Sequence, residues 1–217
     1  MKKFSEALER TEFGRRLLTD KRFQSLLIAC GCMGWNLFYG LFNGILGIAY
    51  RSVWLITMCA FFLTLGGMCF SVVMLHRDNK GKRSERLVLC HNGITMFLLA
   101  IILACLVAIS FLQPVSKTYP VAMMIAIAAY TFFLAANAIR NVILAQKEKS
   151  LSMITLRNIS LAGATASMLT LQRSMTATFG GEAAFANTMN GATGMGAFLI
   201  VLALGVSMII QGSRKHE

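Results

Sequence analysis

Residues 53–75 read Val-Trp-Leu-Ile-Thr-Met-Cys-Ala-Phe-Phe-Leu-Thr-Leu-Gly-Gly-Met-Cys-Phe-Ser-Val-Val-Met-Leu and carry no charged side chain. A hydrocarbon core of about 30 Å is crossed by about 20 residues of α-helix, so this stretch can span a bilayer unaided. Working outward, residues 23–49 precede it, and 93–112, 120–145, 152–172 and 191–211 follow it as further apolar stretches. The predicted fold is all-α: an integral membrane bundle of about six transmembrane helices over residues 23–211. A basic segment, 1–22, precedes the bundle and a short tail, 212–217, follows it. The order of spans reads as three helical hairpins in series, within one domain.

Composition points the same way. Charged residues make up 14% of the 217 and hydrophobic ones 56%. A soluble domain needs roughly 25% charged residues to cover its surface. Eighteen glycines against two prolines suit helices that approach closely and are rarely broken.

The net charge of +12 is distributed rather than clustered. With the N-terminus inside, 18 of the 21 Lys and Arg residues fall in cytoplasmic segments, leaving Arg51, Lys117 and Arg173 outside. The positive-inside rule therefore places both termini in the cytoplasm of a cell (plasma) membrane, with the basic loops against an anionic inner leaflet. Basic residues set between apolar stretches orient a membrane protein, and nucleic acid is not an expected partner. The first 22 residues lack the apolar core of a cleavable signal, so the first span is expected to start translocation itself. That segment reads either as an interfacial helix or as a solvated arm.

Polar side chains inside the spans mark where helices face each other. Asn36, Gly40, Asn43 and Gly47 step by four, three and four along the first span, with Gly44 beside them. Gly40, Gly44 and Gly47 are candidate packing positions, and each Asn could bond across a close helix contact or line a polar cavity. The fifth span is the poorest, because fifteen residues between Arg157 and Arg173 reach only about 22 Å. Asn158, Thr165 and Gln172 recur there every seven residues, as do Ser160, Ser167 and Ser174. A helix this polar is expected at the bundle centre.

Two candidate sites follow. An outer polar site would gather Asn36, Asn43, Thr165, Gln172, Arg173, Asn190 and Thr193. An inner site, formed by Asn137, Arg140, Asn141, Arg157 and Asn158, has the donors to hold an anion or a phosphate headgroup.

Several chemistries lack support. All nine acidic residues lie outside the spans, so no intramembrane carboxylate is available for proton coupling or acid–base work. His76, His91 and His216 lack a third ligand for metal, and the six cysteines form no Cys-x-x-Cys pair. No cofactor is expected, and no nucleophile, base or metal can be assembled into an enzyme. Tyr50, Trp54 and Tyr119 fall where interfacial aromatics sit, while Trp35, midway along its span, needs a partner for its indole N–H.

The run Asn43-Gly44-Ile45-Leu46-Gly47-Ile48-Ala49-Tyr50-Arg51-Ser52-Val53-Trp54 resembles a segment of small, uncharacterised bacterial multi-pass membrane proteins. Leu171-Gln172-Arg173-Ser174-Met175-Thr176-Ala177-Thr178-Phe179-Gly180 and Asn190-Gly191-Ala192-Thr193-Gly194 are similar to that group as well. The resemblance implies about six spans and no assigned activity, and it draws notice to the outer ends of spans one, two, five and six. The expected function is a binding, scaffolding or regulatory membrane protein, partnered by lipid, by another membrane protein or by a second copy. The alternative is a small-solute channel, carrier or sensor lined by spans one, five and six.

Overall fold

The computed structural model describes residues 21–77, 82–112, 121–148, 151–179 and 183–213. They form six helices: α1 (Lys21–Ala49), α2 (Val53–Arg77), α3 (Lys82–Leu112), α4 (Val121–Glu148), α5 (Leu151–Phe179) and α6 (Ala183–Ser213). Apart from the turn Tyr50–Ser52, every described residue is helical. Neither proline falls within a described helix: Pro114 and Pro120 stand between the end of α3 and the start of α4. The segment 1–20, the tail from 214 on, and Lys117, Tyr119 and Glu182 lie outside the described residues.

Five of the six helices are long and apolar enough to cross a membrane, which makes this a membrane-embedded all-α bundle. Large apolar side chains point outward, Ile48 at 75% and Phe132 at 72% exposure among them. Water would penalise such a surface, whereas lipid does not. The sixth helix, α5, is as long as the others at 29 residues but carries the polar repeats. It packs against all five other helices, so its Ser160, Ser167 and Ser174 are buried in protein rather than presented to lipid.

Pairing departs from three hairpins in series. α1 packs on α2 and α4 on α5, but α3 takes α6 as its partner and leaves the α4–α5 hairpin between them in sequence. Glycines explain the choice. A Cβ placed on Gly93 would stand 2.9 Å from the backbone nitrogen of Ile209, and one on Gly205 2.9 Å from that of Phe97. These helices touch backbone to backbone, a contact open only to residues without side chains.

The α1–α2 hairpin uses the same device. A Cβ on Gly47 would come within 2.9 Å of the Ile56 nitrogen, one on Gly44 within 2.9 Å of Cys59 Sγ, and one on Gly40 within 3.2 Å of Leu63. The three packing glycines are therefore engaged inside the chain. Their hairpin turns through Arg51 at φ 48°, where the Ser52 N–H reaches the Gly47 carbonyl (2.9 Å) and the Arg51 N–H reaches that of Ile48 (3.2 Å). That pair of bonds is a Schellman cap, with arginine in the left-handed position usually taken by glycine.

Candidate functional site

Among the described residues no glycine seam joins α1 to α4, whose backbones make no close approach there, and aromatic rings fill the distance. Tyr39 stacks on Tyr130 with centroids 3.5 Å apart, Trp35 meets Phe133 at 4.5 Å, and Phe62 of α2 stands edge-on to Tyr39 at 4.6 Å. Helices held apart by rings leave space beside them. Next to the stack, toward the Lys21 end of the bundle, lies a cleft of ≈ 290 Å³.

The walls of the cleft differ. α1 lines it with Leu27, Ile28, Gly31, Cys32 and Trp35, and α4 with Phe133, Asn137 and Arg140. Most of this surface is hydrocarbon, and its two strong hydrogen-bond donors stand one turn apart on α4. The Arg140 side chain is exposed and Asn137 half-buried. A small recess of ≈ 10 Å³ continues toward α5, bounded by Asn36, Ser160 and Gly163 as well as Cys32, Trp35 and Asn137. It has room for about one water molecule.

Buried polar atoms surround this region without full pairing. Asn141 donates from Nδ2 to Ser160 Oγ (2.6 Å), but its Oδ1 has no protein partner. Arg157 donates from Nε to Asn158 Oδ1 (3.1 Å), leaving Asn158 Nδ2 unpaired although the residue is fully buried. The indole N–H of Trp35 and the hydroxyls of Tyr39 and Tyr130 also lack partners. Each such group costs about 1–3 kcal/mol if left dry. The inner candidate residues are thus divided: Asn137 and Arg140 line the cleft, Asn141 is tied to the recess through Ser160, and Asn158 pairs with Arg157.

The outer candidates are not gathered into one place. α1 and α6 make no close approach among the described residues, so Asn43 is separated from Asn190 and Thr193. Asn43 and Thr165 bond back to carbonyls one turn earlier on their own helices, those of Tyr39 (2.8 Å) and Leu161 (2.8 Å). Thr193 does the same to Met189. Asn36 bonds to the Cys32 carbonyl (2.8 Å) and belongs to the recess instead. Toward the Phe179 end of α5, Arg173 lies over the Trp54 ring with its guanidinium carbon 4.4 Å from the centroid. The Thr176 hydroxyl donates to Asn190 Oδ1 (3.0 Å), and the half-buried Gln172 offers its backbone carbonyl to the same hydroxyl (3.1 Å).

Asn137 and Arg140 were anticipated, but the apolar and aromatic walls beside them were missed by reasoning from polar residues alone. Tyr130, Phe133, Asn137 and Arg140 step by three, four and three along one face of α4, as Cys32, Trp35 and Tyr39 step by three and four along α1. Those mixed stripes of ring and polar group are the signal the sequence does contain. Among the described residues no group of three His, Cys, Asp or Glu side chains is placed to hold a metal. Compared with known proteins, the chain matches no family model and no curated protein.

Proposed function

We propose that this is a binding or regulatory protein of the cell membrane that seats an anionic amphiphile, a lipid with a phosphate headgroup, in the cleft between α1 and α4. The observation that carries the reading is the composition of that cleft. A hydrocarbon slot bordered by Leu27, Ile28 and Phe133 has Arg140 and Asn137 beside it as donors. Acyl chain and headgroup find matching surfaces there, with the guanidinium able to pair two phosphate oxygens at once. The Lys21 end faces the cytoplasm in this reading, because 18 of 21 basic residues belong to that side. Arg140 then meets the headgroup layer of the anionic leaflet.

A solute pathway along α1, α5 and α6 has less support. Asn43 and Thr165 satisfy their hydrogen bonds locally, and the Tyr39–Tyr130 stack stands on α1 between Asn36 and Asn43. The cleft offers a slot for a chain and donors for a headgroup, so the reading is of a binder rather than an enzyme.

The test uses the full chain reconstituted in vesicles of phosphatidylglycerol and phosphatidylcholine, extracted gently and weighed by native mass spectrometry. The wild type is expected to retain phosphatidylglycerol in preference to phosphatidylcholine, and Arg140→Gln to lose roughly tenfold of that preference, about 1.4 kcal/mol. Equal retention of the two lipids by the wild type, or an Arg140→Gln protein indistinguishable from it, would overturn the proposal.

A further inference from the structure

Cys32 borders both the cleft and its recess, and its sulfur is not alone. Cys69 of α2 stands behind it with the two Sγ atoms 2.9 Å apart. The two residues are 37 positions apart in sequence, and no Cys-x-x-Cys spacing announces them. We propose that Cys32 and Cys69 are a dithiol–disulfide redox pair, oxidised by a hydroperoxide that reaches Cys32 from the α1–α4 cleft.

The geometry gives the two sulfurs different roles. Cys32 Sγ accepts hydrogen bonds from the Cys69 thiol (2.9 Å) and from Asn36 Nδ2 (3.3 Å), whereas Cys69 is the donor and is fully buried. Cys32 borders the cleft and Cys69 stands behind it, so a hydroperoxide arriving from that side meets Cys32 first. Cys32 is therefore the attacking residue and Cys69 the resolving one. The sulfurs stand less than about 1 Å beyond the bonded separation of about 2.05 Å, so side-chain adjustment brings them together.

Oxidation proceeds in two displacements. Cys32 sulfur attacks the terminal oxygen of the hydroperoxide, the O–O bond breaks, and the alkoxide leaves with the Cys32 proton as an alcohol. Cys32 is now a sulfenic acid. Cys69 sulfur then attacks Cys32 sulfur, the S–O bond breaks, and hydroxide leaves with the Cys69 proton as water. The sum is two thiols and one hydroperoxide giving one disulfide, one alcohol and one water. A thiol reductant restores the pair by exchange. The product ties α1 to α2 at the wall of the cleft. This inference requires the cleft alone and stands whether or not a phospholipid is its occupant.

The experiment treats the intact protein in micelles with cumene hydroperoxide, then quenches, denatures, alkylates the remaining thiols and maps the peptides. Two of the six cysteines are expected to escape alkylation, joined as a Cys32–Cys69 peptide that dithiothreitol reopens. In Cys69→Ser the sulfenic acid should persist on Cys32 and be captured by dimedone, while Cys32→Ser should lose the reaction at both positions. The wild-type map needs no variant to fold. Survival of both thiols under a dose that oxidises the exposed Cys30 or Cys105 would overturn the proposal, as would a linked peptide joining other cysteines.

Discussion

One helix, α1, makes two different interfaces. Toward α2 it offers Gly40, Gly44 and Gly47, and the partner's backbone closes onto it until no Cβ would fit at Gly47. Toward α4 it offers Trp35 and Tyr39, and rings hold the helices apart beside an open cleft. In lipid, where apolar surface gains little by leaving its solvent, packing decides which helices meet and how closely. Small residues make a closed seam. Large rings hold the helices apart and leave a cleft beside them.

Breaking each interface in turn sharpens the contrast. The largest effect is expected at the rings: Tyr39→Ala removes a buried side chain that touches Tyr130 and Phe62, at a cost of about 4 kcal/mol in reversible unfolding from mixed micelles. Gly205→Leu attacks the α3–α6 seam, where the added carbon meets the Phe97 nitrogen at 2.9 Å, and should cost about 3 kcal/mol. A loss below about 1 kcal/mol for either variant would contradict the packing described. The α4–α5 interface carries side-chain hydrogen bonds instead, from Asn141 to Ser160 and from Thr131 to the Ser167 carbonyl. A double-mutant cycle on Asn141 and Ser160 should return a coupling of about 1 kcal/mol, and additivity would mean that their hydrogen bond contributes nothing. Arg51→Gly should relax the left-handed residue of the α1–α2 turn and stabilise by about 1 kcal/mol. Gly196→Ala, inside α6 with open space around it, should stabilise by about 0.5 kcal/mol through helix propensity alone.

Much of the fold was legible because it depends on one quantity, the length of uncharged sequence. Residues 53–75 alone determine that lipid is the solvent, and the polar repeats of α5 placed it where five neighbours cover them. Partner choice was not legible. Gly93, Gly205 and Gly212 lie on two segments more than a hundred residues apart, and nothing local says that their faces meet. The candidate sites fared unequally for a related reason. Arg140 and Asn137 were read from their charge and donors, and both line the cleft. Asn43 and Thr165 looked like site residues, yet a side chain one turn from a carbonyl can satisfy itself on its own helix. Cys32 and Cys69 escaped notice because sulfur contact across two helices leaves no spacing rule in the sequence.

Trp35 offers the most direct reading of the cleft, since it lines the slot and Trp54 is the only other tryptophan. In a Trp54→Phe protein reconstituted with lipids brominated on the acyl chains, Trp35 fluorescence reports what occupies that slot. Brominated phosphatidylglycerol should quench it at a several-fold lower mole fraction than brominated phosphatidylcholine, and Arg140→Gln should erase the difference. Identical quenching curves for the two lipids in the unmutated cleft would contradict an anion-selective site between α1 and α4.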